Sequence, residues 1–171
     1  MPEREMELYL VRHGIAIERE DPKCPAEAER YLTEEGIKKT REVAKGVASL
    51  VDKPDLFLSS PYVRAMQTAE LFATALKYPK AKIRKTNLLL PGSDVSALFR
   101  ELAKEKDAGA IFCFGHAPHL DEAIAAVLGS KGDATSLKKA GVACLELRRV
   151  SPPSGTLVWL GTPKMLKRIG D

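Results

Sequence analysis

The chain has 171 residues, 44% hydrophobic and 29% charged, an ordinary balance for a globular protein and enough apolar material for a buried core. Lys and Arg exceed Asp and Glu by 27 to 23; the net charge of +4 suits an anionic ligand but, scattered among acids and with few aromatic residues, does not describe a nucleic-acid surface. No apolar run is long enough to span a bilayer, the start "MPEREMELYLV" lacks the form of a secretion signal, and three cysteines without a CxxC pair suit a reducing compartment. A single cytoplasmic domain over 1–171, with no membrane and no nucleic acid as partner, is therefore expected.

In chain order, "MELYLV" reads as a buried strand and is followed by an irregular loop through Pro22 and Pro25. Thr33 is a good N-cap for a helix whose apolar positions Ile37, Ala44, Val47 and Val51 recur at helical spacing. "PDLFLSS" predicts a short strand, and a helix follows from near Pro61 through "RAMQTAELFATAL". "AKIRKT" is a weaker strand, "VSALFRELAKE" a helix, and "AIFCFG" the most continuous apolar strand. Pro118 suits the first turn of a fourth helix, "LDEAIAAVLG", and two late strands, "ACLELRRV" and "TLVWLGT", flank the turn "SPPSG". Alternating strands and helices predict an α/β, three-layer sandwich with a mostly parallel central sheet flanked by helices.

In such a sheet, ligands bind beyond the carboxyl ends of the strands. Three such ends carry polar residues: Arg12, His13 and Gly14 after the first strand, "SSPYVRAMQTA" with Arg64 after the second, and Gly115 and His116 after "AIFCF". If these strands share one sheet, two histidines and two arginines converge. Phosphoryl transfer needs this set. A neutral imidazole attacks phosphorus, nearby cations disfavour its protonation, and arginines grip the phosphoryl oxygens with paired charge-assisted bonds. His13 is the candidate nucleophile, Arg12 and Arg64 the phosphate grip, and His116 a donor to transition-state charge. Gly14 leaves room for the backbone to turn and approach the anion.

These residues resemble the histidine phosphatase superfamily, the phosphoglycerate mutase-like fold, and within it the small SixA-type phosphohistidine phosphatases. "LVRHGIA" is similar to the family's opening signature, and "RYLTEEG", "SSPYVRAMQTAE", "LLLPGSD" and "FGHAPHL" to later segments of the branch. The resemblance implies a phosphohistidine intermediate on His13 that water hydrolyses, with Arg12, Arg64 and His116 completing the phosphate pocket. It adds Arg30 as a further phosphate contact. It implies no cofactor, and a phosphorylated protein as partner, such as a histidine phosphotransfer domain.

The family's asparagine after the second histidine is Ala117 here, and no motif marks the glutamate general acid found elsewhere in the superfamily. Asp94, Glu20 and Asp21 lie in loops that could reach the pocket. A missing acid suits a labile phosphoramidate, whose imidazole leaves more easily than an alkoxide. The alternatives are a small-molecule phosphomonoesterase or mutase of the same superfamily and a non-catalytic phosphoprotein-binding module. A metal site at Cys113, His116 and His119 is disfavoured, because a strand and turn do not place the three on one face; His119 reads as a local hydrogen bonder or a pocket-rim residue.

Overall fold

The structure, a computed structural model, describes residues 5–171. The described residues form six strands and five α-helices. The strands are β1 (Met6–Arg12), β2 (Leu56–Ser59), β3 (Arg84–Lys85), β4 (Ala110–Gly115), β5 (Val142–Arg149) and β6 (Ser154–Gly161). The helices are α1 (Glu34–Ala48), α2 (Val63–Leu76), α3 (Val95–Leu102), α4 (His119–Leu128) and α5 (Pro163–Ile169). They build one mixed sheet in the order β3-β2-β4-β1-β5-β6, in which β3, β2, β4 and β1 run parallel and the β5–β6 hairpin adds two antiparallel pairings. No described helix is long and apolar enough to cross a membrane.

Strand alternation sorts the central side chains onto two faces. Leu8, Leu10, Ile111 and Cys113 meet Phe99, Leu102, Leu120 and Ile124 from α3 and α4. Tyr9, Val11, Phe112 and Phe114 meet Val43, Val47, Phe72 and Leu166 from α1, α2 and α5. On that second face the Phe57 ring lies 5.0 Å from Phe114 and 5.1 Å from Phe112. Such aromatic pairs add about 0.5–1.5 kcal/mol beyond their buried area. A sheet buried on both faces holds its strand ends at fixed heights, which is what a site built on those ends requires.

Thr33 caps α1 as expected, its hydroxyl accepting from the Gly36 amide at 3.0 Å. Three elements depart from the sequence reading. The weak third strand shrinks to two exposed residues, and α3 stops at Leu102. α5 was not anticipated; Thr162 caps it through the Met165 amide at 3.3 Å and Pro163 occupies its first turn. It reaches α1 closely because Gly46 has no side chain, where a Cβ would overlap the Leu166 backbone.

Candidate active site

The β1–β4 register decides what lies at the sheet's carboxyl edge. Arg12 stands opposite Gly115, and the His13 amide donates to the Gly115 carbonyl at 3.0 Å, so the next residues, His13 and His116, emerge side by side. Their ring centroids are 5.3 Å apart. β2 adds a third wall. The Ser60 amide donates to the Phe114 carbonyl at 2.9 Å, and the Ser60 hydroxyl lies 2.8 Å from His116 Nε2. The Tyr62 ring meets His116 edge-on at 5.4 Å.

His13 is buried, and its Nδ1 lies 2.7 Å from the Gly14 carbonyl oxygen. A carbonyl only accepts, so Nδ1 carries the hydrogen and Nε2 keeps its lone pair. Burial pushes the His13 pKa down to about 4; the Gly14 bond opposes this, and Arg64, Arg12 and Arg30 add to the depression. The arginine effect expected from the sequence is therefore present but secondary to burial. His116 is lowered to about 3, again by burial first and then by His13 and Arg64.

Arg64 is 2% exposed, and its guanidinium donates to Glu27 twice, from Nη1 to the carbonyl at 2.8 Å and from Nη2 to Oε1 at 3.0 Å. Arg30 is also buried; it donates from Nε to the Ile17 carbonyl at 3.0 Å and from Nη1 to the same Glu27 Oε1 at 3.2 Å. Arg12 donates from Nη1 to the Leu137 carbonyl at 2.8 Å. Burial lowers the pKa of both Arg12 and Arg64, with Asp121 and Glu27 respectively opposing the shift. Three buried nitrogens of this group, Arg12 Nε, Arg64 Nε and His116 Nδ1, have no hydrogen-bond partner among the described residues. The two guanidinium Nε–H groups are donors, and His116 Nδ1 is one when the Ser60 hydroxyl donates to Nε2. Buried donors left unpaired cost about 1–3 kcal/mol each, and such a group at the sheet's carboxyl edge is matched by an anion with several acceptor oxygens.

The sequence did not reveal Glu27, which lies in a 3₁₀ turn (Glu27–Glu29) of the irregular loop and carries no helical or strand spacing. Its carboxylate also accepts from Arg19, at 2.9 and 2.8 Å. These bonds, followed by the charges of Arg64 and Arg30, hold its pKa down at about 2. Asp121 was missed as well: its Oδ1 accepts from the Leu137 amide at 2.9 Å and the Thr135 hydroxyl at 2.7 Å, fixing the carbonyl that holds Arg12. Thr68 joins α2 to the loop after β1, accepting from the Gly14 amide at 3.1 Å while donating to the Arg64 carbonyl at 2.8 Å.

Other expectations change. Gly14 is not needed for a special turn, since its φ is not positive; a Cβ there would overlap Thr40 Oγ1, so glycine lets the loop pack on α1. None of the three loop acids bonds to the cluster. Asp94 caps α3 through the Ser96 amide at 2.9 Å and Asp21 accepts from the Lys23 amide at 2.8 Å, both exposed, while Glu20 is exposed in the loop. His119 is neither a local hydrogen bonder nor at a rim: it is 1% exposed, and neither ring nitrogen has a partner among the described residues. Cys113 points into the core, its thiol pushed up to about 12 by burial, and no group of three His, Cys, Asp or Glu among the described residues is placed to hold a metal ion.

Comparison with known proteins bears on the family and the fold. The model of the histidine phosphatase superfamily (branch 1) matches residues 8–88. An uncharacterised protein of Picosynechococcus sp. is 36% identical over 140 residues, covering 80% of this chain and 82% of its own length. Among solved structures, the protein histidine phosphatase SixA complexed with tungstate superposes with a TM-score of 0.82 at 22% identity, over 93% of this chain and 98% of that one. A phosphoserine phosphatase from Entamoeba histolytica in complex with phosphoserine gives a TM-score of 0.71 at 17% identity, over 94% and 99% of the two chains.

Proposed function

This chain belongs to the histidine phosphatase superfamily, and we propose that within it the protein hydrolyses phosphohistidine on another protein, through a covalent phosphoryl group on its own His13. The observation that carries this reading is the set of unpaired buried nitrogens, the donors Arg12 Nε and Arg64 Nε together with His116 Nδ1, near an imidazole whose Nε2 is free to attack.

The reaction runs in two displacements. His13 Nε2 donates its lone pair to phosphorus while the bond from phosphorus to the substrate nitrogen breaks. The substrate ring, protonated on its other nitrogen, takes that electron pair and leaves as neutral imidazole. The new phosphoimidazolium on His13 keeps its Nδ1 hydrogen on the Gly14 carbonyl, which stabilises the positive ring. Water then attacks phosphorus, His13 leaves with the bonding pair, and inorganic phosphate departs. Arg12, Arg30, Arg64 and His116 hold the three equatorial oxygens, whose charge they stabilise in both steps.

The leaving group separates substrate classes. A serine or sugar alkoxide needs a proton as it departs, and the carboxyl found on the arginines, Glu27, is held ionised with a pKa of about 2. An imidazole leaving group needs no such donor, which favours the phosphoramidate.

Labelled phosphohistidine protein mixed with enzyme and quenched in alkali should leave acid-labile phosphate on His13, and His13→Ala should leave none. Turnover of phosphoserine or a sugar phosphate faster than phosphohistidine would overturn the assignment.

A further inference from the structure

A second feature adjoins the site on the α1 and α5 side. A cleft of about 510 Å3 is lined by Arg12, Lys39, Lys138 and Lys139, and a neighbouring one of about 520 Å3 shares Lys39 and Lys138 and adds Lys164 and Lys167. Five lysines and Arg12 thus face two acids, Glu18 and Glu42. Lys39 pairs with Glu35 at 2.9 Å and Lys167 with Glu42 at 3.3 Å. Lys138, Lys139 and Lys164 are exposed and have no ion-pair partner among the described residues.

The groove is tied to the nucleophile. The Ala140 amide donates to the carbonyls of Arg12 and His13, at 3.1 and 3.0 Å, so Lys138 and Lys139 are carried on the segment that braces the catalytic loop. The cluster around His13 is buried and offers a substrate protein little beyond a grip on its phosphoryl group. Contact with the rest of that protein has to be made outside it.

We propose that this lysine groove docks an acidic segment of the phosphorylated protein, which holds the carrier while its phosphohistidine reaches His13. The proposal rests on the phosphohistidine reading above for the identity of the carrier. Two adjoining clefts suit an extended segment better than a compact ion. Lysines, as mobile point charges, read charge without fixing geometry, whereas a dedicated site for one small phosphate would favour arginine forks. Charge complementarity of this kind acts mainly on encounter and weakens with salt.

Binding and turnover can be read separately. A fluorescent twelve-residue peptide rich in glutamate, and its glutamine counterpart, are titrated against the whole protein at low salt. The glutamate peptide should bind at least tenfold more tightly. The Lys138→Glu/Lys139→Glu/Lys164→Glu variant should lose at least tenfold of that affinity while hydrolysing free phosphoramidate within twofold of the parent. Lys138→Gln/Lys139→Gln/Lys164→Gln provides a milder version with the same direction. Equal affinity for the two peptides, or an unaffected charge-reversed variant, overturns the docking groove. Tripolyphosphate that displaces the peptide at far lower concentration than its charge explains overturns it in favour of a small polyanion. Failure to hydrolyse phosphoramidate in parent and variant alike overturns the phosphatase reading instead, and leaves the peptide titration to decide the groove.

Discussion

The exposed carboxylate of Glu27 closes over the buried guanidinium of Arg64, at 3.0 Å from Nη2, and the same oxygen meets Arg30. A carboxylate oxygen therefore occupies a position on these two arginines that a phosphoryl oxygen can also take.

Glu27→Gln removes the competing charge and keeps an acceptor for the arginines. Vanadate should inhibit this variant more tightly, by about three- to tenfold, or up to roughly 1.4 kcal/mol. Inhibition constants measured side by side check it; unchanged or weaker inhibition would show that the carboxylate supports the anion site rather than competing for it.

His13 and His116, held down at about 4 and about 3, stay neutral where an unfolded chain's histidines protonate, near pH ~6.5. Between those values the unfolded state binds more protons, so stability falls as pH drops from about 6.5, through both histidines down to about 4 and through His116 down to about 3. Glu27, held at about 2, adds a further loss below about 4.5. Urea midpoints at pH 7.5, 6 and 5 should follow that order. Nitrogen-detected NMR titration should find His13 still neutral at pH 5. Since burial outweighs the arginines, its midpoint in Arg64→Met should stay closer to 4 than to the ordinary histidine value.

Asp121 acts on Arg12 through Leu137. Asp121→Ala leaves the buried Leu137 amide unpaired, at a cost of about 1–3 kcal/mol. Thermal melting should fall by roughly 2–4 °C per kcal/mol, and substrate affinity should weaken with it. Asp121→Asn, which retains the acceptor, should recover most of both; a stable Asp121→Ala variant with normal KM would remove the residue from any positioning role.

Gly14→Ala drives a methyl into Thr40 Oγ1 and should destabilise by about 1–3 kcal/mol while lowering turnover, because His13 is the preceding residue. Thr40→Ala opens that space. The double variant should be at least ~1 kcal/mol more stable than the two single losses combined. Strict additivity in denaturant titrations would mean that the clash is relieved elsewhere.

Most of the fold was legible because long buried strands and patterned helices announce themselves locally. "AIFCFG" and "MELYLV" are apolar from end to end, and Thr33 marks the start of α1. The histidines and arginines at strand ends were legible too, since the carboxyl edge of a parallel sheet is a known place to look. Glu27 was not, because its partner Arg64 lies in another element and nothing in the spacing joins them. Asp94 lies in a loop as read, but its capping of α3 was not read, although an Asp directly before "VSALF" signals a cap. α5 was lost for its shortness; Thr162 followed by Pro163 was the signal available.

The sheet order has a bearing on synthesis. β1, which leads into the proposed nucleophile His13, is the first strand made, yet its two neighbours in the sheet are β4 and β5, which begin at Ala110 and Val142. A nascent chain that has reached Leu102 already contains His13, Arg30 and Arg64, but β1 has no edge to pair with and His116 is not yet present. The proposed catalytic edge is therefore completed only after distant strands have joined, so a chain released before Ala110 lacks His116 and both strands that flank β1.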